Sequence, residues 1–144
     1  MLTLDGGTYA LLVHVPYELA LKVGQLGTVE FKRGYYVYVG SALGGLSARV
    51  RRHLRDRKKI HWHIDHLLLH TRAMDVVAAR GKRRKECAVA AEIGKHLSSV
   101  SGFGSSDCDC TSHLFYCPDL DELRRIVFAS FKECGAKLVK SIGP

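Results

Sequence analysis

Residues Gly7–Val15 read GTYALLVHV, and residues 35 to 39 read YYVYV. Both runs are rich in aromatic and β-branched residues, and Pro16 follows the first, so each run predicts a β-strand. Residues 27 to 32 alternate apolar and polar side chains and lead towards the second run. Because Arg33 and Gly34 stand between these two segments, we predict a hairpin closed at that dipeptide.

Helical periodicity begins after a glycine-containing turn at residues 40 to 45. Leu46, Val50 and Leu54 recur every four residues with arginines between them, which predicts an amphipathic basic helix. The same reasoning predicts helices over residues 62 to 70, 85 to 97 and 120 to 134, and strands over residues 73 to 79 and 112 to 117. This order of elements predicts a mixed α+β sandwich.

Length and composition indicate one soluble domain. The chain has 144 residues, of which 47% are hydrophobic, and this is enough for a single core. We expect one domain over residues 1–144, with a C-terminal helical extension from about residue 119. Nothing reads as a signal peptide, and no apolar run approaches the roughly 18 residues of a membrane helix, so we expect a cytoplasmic protein with reduced thiols.

The charge of the chain is strongly positive and clustered. Lysine and arginine number 22 against 14 acidic residues, which gives a net charge of +8. Clustered cations bind polyanions because neutralised phosphates release counterions, so DNA is the expected partner; two solvated helix faces are the equally favoured alternative. The candidate contacts are Arg51, Arg52, Arg55, Lys58, Lys59, Arg83 and Arg84.

Five residues form a candidate hydrolytic set: Tyr9, Tyr38, Arg49, His53 and Glu86. None is specific alone, since a strand tyrosine is usually structural and a glutamate that opens a helix usually complements its dipole. Arg49 and His53 lie four residues apart and therefore share one helix face. Together the set supplies a phenol, a guanidinium and a carboxylate, which are the functions that phosphodiester hydrolysis requires.

The motifs Gly7-Thr8-Tyr9 and Tyr38-Val39-Gly40 resemble the paired motifs of the GIY-YIG nuclease superfamily. More closely, the chain is similar to the mainly archaeal Uri-type endonuclease family, formerly a domain of unknown function. This similarity spans residues 7 to 118 and includes the segments GYYVYVGSA, HWHID, Glu86-Cys87, GFGSSDC and SHLFY. The superfamily has isoleucine where this chain has Thr8 and Val39, and its late asparagine has no evident counterpart.

The resemblance implies a GIY-YIG fold, in which helices flank a small antiparallel sheet as an α/β/α sandwich. It also implies a DNA endonuclease that uses one Mg²⁺ or Mn²⁺ ion, held by Glu86, in repair or processing of structured DNA. Tyr9 would then be the general base or proton relay, and Arg49 would stabilise the charge on the phosphorus. Because the ordinary pKa of tyrosine is near 10, we expect the surrounding cations to lower that of Tyr9.

Two other functions remain open from the sequence. The first is a catalytically inactive nucleic-acid-binding module of a larger assembly, which would carry the same charge. The second is a zinc-stabilised interaction domain, because Cys108, Cys110 and His113 could supply three zinc ligands. The C-x-C spacing is tighter than usual and no fourth ligand is evident, so the sequence favours a loop with reduced, partly buried thiols. The segment HWHIDH also contains groups that could bind zinc, but the sequence favours a core anchor at Trp62 with capping groups at His63 and Asp65.

Overall fold

The computed structural model describes residues 6–42, 46–54, 62–81, 85–105 and 110–139. Its elements are β1 (Gly7–Val15), β2 (Leu19–Lys22), a 3-10 turn (Gly24–Leu26), β3 (Thr28–Phe31), β4 (Gly34–Ala42), α1 (Leu46–Leu54), α2 (His63–Leu68), β5 (Ala73–Arg80), α3 (Glu86–Gly94), β6 (Ser98–Ser99), β7 (Leu114–Cys117), α4 (Leu120–Glu133) and β8 (Lys137–Val139). Six strands form one sheet in the order β6-β7-β4-β1-β5-β8, and every neighbouring pair is antiparallel.

Strand β1 lies near the middle of this sheet, and its residues alternate between two cores. On the first face, Tyr9 and Leu11 pack with Val50 of α1 and with residues of α2. On the second face, the core contains side chains of β1, α3 and α4, including Ala10, Leu12, Val89, Ile93, Leu123, Val127 and Phe131. The prediction of a mixed α+β fold with helices flanking an antiparallel sheet is therefore confirmed.

The helix expected as a C-terminal extension completes the second core. Leu123, Val127 and Phe131 are fully buried, in agreement with the predicted apolar face of this helix. Asp119 caps the helix, since its carboxylate accepts a hydrogen bond of 3.0 Å from the backbone N–H of Glu122. After α4, strand β8 pairs with β5 at the edge of the sheet.

The predicted hairpin at Arg33 and Gly34 is wrong. Strand β3 pairs with β2 in a separate two-stranded sheet, whereas β4 pairs with β1 and β7. Gly34, with a φ of 145°, lies at the start of β4, and a side chain there would meet the ring of Tyr116 at 2.6 Å. Strand β4 is almost wholly buried and so requires a strand on each edge, while β3 buries only Phe31.

The short strands β2, β6 and β8 were not predicted, because four, two and three residues give too little alternation to recognise. Among the described residues, no helix combines the length and the apolar composition needed to span a membrane.

Candidate active site

The two sequence motifs meet because Tyr9 and Gly40 are partners in the antiparallel ladder of β1 and β4. A Cβ atom added to Gly40 would lie 2.4 Å from the hydroxyl oxygen and from Cζ of Tyr9. The phenol therefore crosses directly over the α-carbon of its partner, and glycine is the residue that leaves room for it.

The Tyr9 hydroxyl meets the imidazole of His53, which lies 44 residues away in the sequence. The oxygen is 2.8 Å from Nε2, and both residues are buried. Tyr38 completes a cluster of three rings, with centroid separations of 6.4 Å to Tyr9 and 6.2 Å to His53. The structure thus brings together three of the five residues of the predicted hydrolytic set.

Arg49 joins this cluster from one helical turn before His53. Its Nη1 donates a hydrogen bond of 3.0 Å to the Ser41 carbonyl, and the guanidinium also acts on Tyr9 through charge and hydrogen bonding. On another side, Cζ lies 4.5 Å from the ring centroid of Trp62. Arg49 is therefore positioned by β4 and α2, with its charge next to the phenol.

Arg52 has a structural partner. Its two terminal nitrogens each donate a 3.0 Å hydrogen bond to the fully buried carboxylate of Asp65. Asp65 also accepts a 2.9 Å bond from the backbone N–H of Trp62, which confirms its predicted capping role at α2. The fork of Arg52 thus ties α1 to α2, and the predicted phosphate contact at this residue would compete with that pairing.

Burial dominates the electrostatics of both phenols. Loss of solvent raises the pKa of Tyr9 well above its ordinary value, although Arg49 acts in the opposite direction. Burial likewise raises the pKa of Tyr38, and the neighbouring Tyr9 adds to this effect. The cations do lower the pKa of Tyr9, as expected, but the desolvation of the phenolate is the larger effect, so the pKa is raised overall.

Glu86 opens α3, whose buried residues pack on the second face of the sheet. The carboxylate nevertheless raises the pKa of Tyr38, a residue of the first face, so it lies within electrostatic range of the ring cluster. Its Oε2 is buried and has no hydrogen-bond partner among the residues that the structure describes. A buried carboxylate oxygen without a hydrogen-bond partner is suited to bind a hard divalent cation, for which oxygen is the preferred ligand.

A family match covers most of the chain. The family model described as "Domain of unknown function DUF123" matches residues 8–136. The chain belongs to the DUF123 family. The matched span contains all five residues of the predicted hydrolytic set, but the description of the family names no reaction. No curated protein and no solved structure matches this DUF123 chain.

Sequence reasoning missed Gly104, which brings a loop onto the ring cluster. Gly104 has a φ of 71°, and its N–H donates a 2.8 Å hydrogen bond to Nδ1 of His63. A Cβ atom there would lie 2.9 Å from Cε1 of Tyr38. The glycines at positions 102 and 104 in the segment GFGSS were the available signal, since glycine often marks a close approach of the backbone.

The predicted DNA-binding cations are only partly within the described residues. Arg51 is exposed on α1, which suits a phosphate contact. Arg55, Lys58, Lys59, Arg83 and Arg84 lie outside the described residues.

The predicted zinc ligands, too, are only partly within the described residues. Cys110 and His113 do approach each other, and Cys87 of α3 joins them, whereas Cys108 lies outside the described residues.

Proposed function

We propose that this DUF123 chain is a metal-dependent DNA endonuclease that hydrolyses phosphodiester bonds in the repair or processing of structured DNA. The observation that carries the proposal is the 2.8 Å contact between the Tyr9 hydroxyl and Nε2 of His53, with Arg49 beside it. The resemblance to GIY-YIG nucleases supplies the reaction, and the convergence of residues 44 positions apart supports it.

Tyr9 and His53 would act as a relay. Because burial keeps the phenol protonated, Tyr9 is a poor base by itself, but its hydroxyl can pass a proton to Nε2 of His53. As it does so, the phenol oxygen takes a proton from the attacking water, so the water gains nucleophilic character and the imidazole becomes charged. Arg49 would offset the negative charge that develops on the phosphoryl oxygens.

Glu86 would hold the Mg²⁺ or Mn²⁺ ion through its buried oxygen. The ion would supply Lewis-acid stabilisation of the phosphoryl charge. Tyr38 interacts with the charge of Glu86, and its ring packs edge-on against the ring of His53. Its role in this proposal is to orient water and phosphate between the two.

A catalytically inactive DNA-binding module is the second candidate. Tyr9 is only 1% exposed, and a water molecule must reach its hydroxyl before any relay can operate. This burial favours a structural tyrosine in the absence of DNA. The exposed Arg51 and the net charge of +8 suit both candidates equally.

A cleavage assay separates the two candidates. Plasmid, branched, single-stranded and damaged DNA would be incubated with Mg²⁺ and with wild type, Glu86→Gln or the control Glu92→Gln. Glu92 lies in the same helix and pairs with Lys95 on the surface. We expect cleavage by wild type and by the control, and its loss in Glu86→Gln. DNA binding by wild type without cleavage of any substrate would favour the inactive module instead.

A further inference from the structure

Three potential metal-ligand atoms, two sulfurs and one nitrogen, converge beside the start of α3. The sulfur atoms of Cys87 and Cys110 and a ring nitrogen of His113 all lie within 4.8 Å of one another. Cys87 is the second residue of α3, and the other two precede β7, so the cluster joins parts of the chain more than 20 residues apart. Both cysteines are thiols, and neither belongs to the predicted hydrolytic set.

The imidazole of His113 is oriented as a metal ligand would be. Its Nδ1 lies 3.0 Å from the carbonyl oxygen of Val39. A carbonyl oxygen only accepts, so Nδ1 carries the proton and the lone pair is on Nε2. That nitrogen faces Cys87, with 3.9 Å between Nε2 and Sγ. A backbone carbonyl that fixes the tautomer in this way is the usual outer partner of a metal-binding histidine.

His113 is buried, so its ring is held in place by its neighbours. Because the Val39 carbonyl holds the proton on Nδ1, Nε2 keeps the lone pair that a metal ligand must offer.

We propose that Cys87, Cys110 and His113 bind a zinc ion. Two thiolates and an imidazole form a set of ligands that suits zinc. In a tetrahedral zinc site, ligand atoms are separated by about 3.6 to 3.8 Å, as follows from the Zn–S and Zn–N bond lengths. The separation is 3.9 Å between Cys87 and His113 and at most 4.8 Å for the other two pairs, so zinc binding requires inward movements of about 1 Å or less.

The site differs from the one that the sequence suggested, because Cys87 takes the place of Cys108. A cavity of about 770 Å³, lined in part by Cys87, Cys110 and Phe115, opens beside the cluster and gives an ion a path of entry. The fourth position of the ion is open to water or to a further residue.

Zinc at this place would fix the residue next to Glu86. Cys87 follows Glu86 directly, while His113 is bonded to Val39, the neighbour of Tyr38. The ion would therefore hold the start of α3 against the end of β4. This positioning role rests on the proposed nuclease function, but the zinc site itself does not.

Metal analysis tests the site without any DNA. Wild type, Cys87→Ser and the control Cys134→Ser would be loaded with zinc, dialysed and analysed. Cys134 ends α4 and belongs to no metal-ligand cluster among the described residues. We expect about one zinc ion per chain in wild type and control, and its loss in Cys87→Ser. Wild type that retains no zinc, or whose mass reveals a disulfide between Cys87 and Cys110, would overturn the proposal.

Cobalt substitution keeps the test decisive if Cys87→Ser fails to fold. Co²⁺ added to metal-free wild type should give the absorption bands of tetrahedral thiolate coordination, and zinc should abolish them. Absence of these tetrahedral bands would contradict the assignment. Glu86→Gln should keep the tetrahedral thiolate bands of wild type, so the zinc site can be established in a chain that lacks nuclease activity.

Discussion

The phenol of Tyr9 lies across the α-carbon of Gly40, its partner in the neighbouring strand. This relationship gives a physical reason for the pairing of the two motifs. The glycine of the second motif creates the space that the tyrosine of the first motif occupies. The hydroxyl can then extend to Nε2 of His53 on α1.

Gly40→Ala should displace Tyr9 and lower both stability and activity. The added methyl group would lie 2.4 Å from the phenol, which is 1% exposed and cannot swing into solvent. Overpacking of this kind costs about 1–3 kcal/mol, measurable by urea unfolding. Gly94→Ala is the control, because the nearest atom to its methyl group is Phe115 Cε1 at 3.3 Å. Equal stability of the two variants would mean that Tyr9 tolerates a side chain at position 40.

Tyr9→Phe should remove cleavage while DNA binding and folding persist. The variant loses the hydroxyl that contacts His53 and keeps the ring that fills the core. A proton relay contributes about 10²–10⁴-fold to rate, so kcat should fall by this factor with little change in KM. The control is Tyr36→Phe, which removes a hydroxyl bonded to the Lys32 carbonyl. Cleavage by Tyr9→Phe at the wild-type rate would eliminate the relay.

Arg52→Ala should destabilise the fold more than it weakens DNA binding. It leaves the fully buried Asp65 without the two hydrogen bonds of the guanidinium. Loss of a partner from a buried ion pair costs about 3 kcal/mol, again measurable by urea unfolding. The exposed neighbour Arg51 provides the comparison, since Arg51→Ala should cost less stability than Arg52→Ala and should reduce the salt dependence of DNA affinity. The opposite pattern would make Arg52 a phosphate contact.

Stability should decline in acid because of His63 and His113. Burial lowers the pKa of both below the ordinary 6.5, so the unfolded chain binds more protons than the folded chain in that range. The free energy of unfolding is therefore highest above pH 6.5 and falls as the pH drops below it. Urea unfolding in a chelator at several pH values measures the slope, which His113→Gln should reduce and the exposed His96→Gln should not. An unchanged slope in His113→Gln would contradict this assignment.

Mn²⁺ soaked into crystals should give its anomalous peak at Glu86. The buried Oε2 of this residue makes it the expected protein carboxylate on the catalytic ion. Asp65 is committed to Arg52 and to the start of α2, which leaves it poorly suited to a metal. An ion on Asp65 or Asp107, more than one coordination shell from Glu86, would make our assignment wrong.

Local patterns in the sequence were sufficient for most of the fold. The four-residue spacing in α1 predicted the burial of Val50, and the apolar face of α4 predicted that of Leu123, Val127 and Phe131; the structure confirms both. Pairing between distant strands was harder to predict. Strand β4 is buried on both faces and pairs with β1, although β3 is its neighbour in the sequence. The hairpin prediction used proximity in the chain and so failed.

Long-range side-chain partners were likewise hidden from the sequence. The short spacing of Cys108 and Cys110 predicted these two cysteines as ligands. Cys87 is distant in the sequence and approaches His113 only because α3 packs beside it. Arg52 was counted as a DNA contact because nothing local indicates its bond to Asp65, which lies 13 residues further on. In both cases the residue type indicated the kind of interaction, but the identity of the interacting partner depended on the tertiary fold.

Trp62, the single tryptophan of the sequence, contacts the guanidinium groups of both Arg49 and Arg52 and lies 5.7 Å from the ring of His53. An indole so close to three cationic or proton-accepting groups has an emission that depends on their positions and charges. Its fluorescence therefore provides an intrinsic optical signal from the centre of the site. If bound DNA draws Arg49 away from the indole, the change in emission can be followed in a stopped-flow instrument with unlabelled protein.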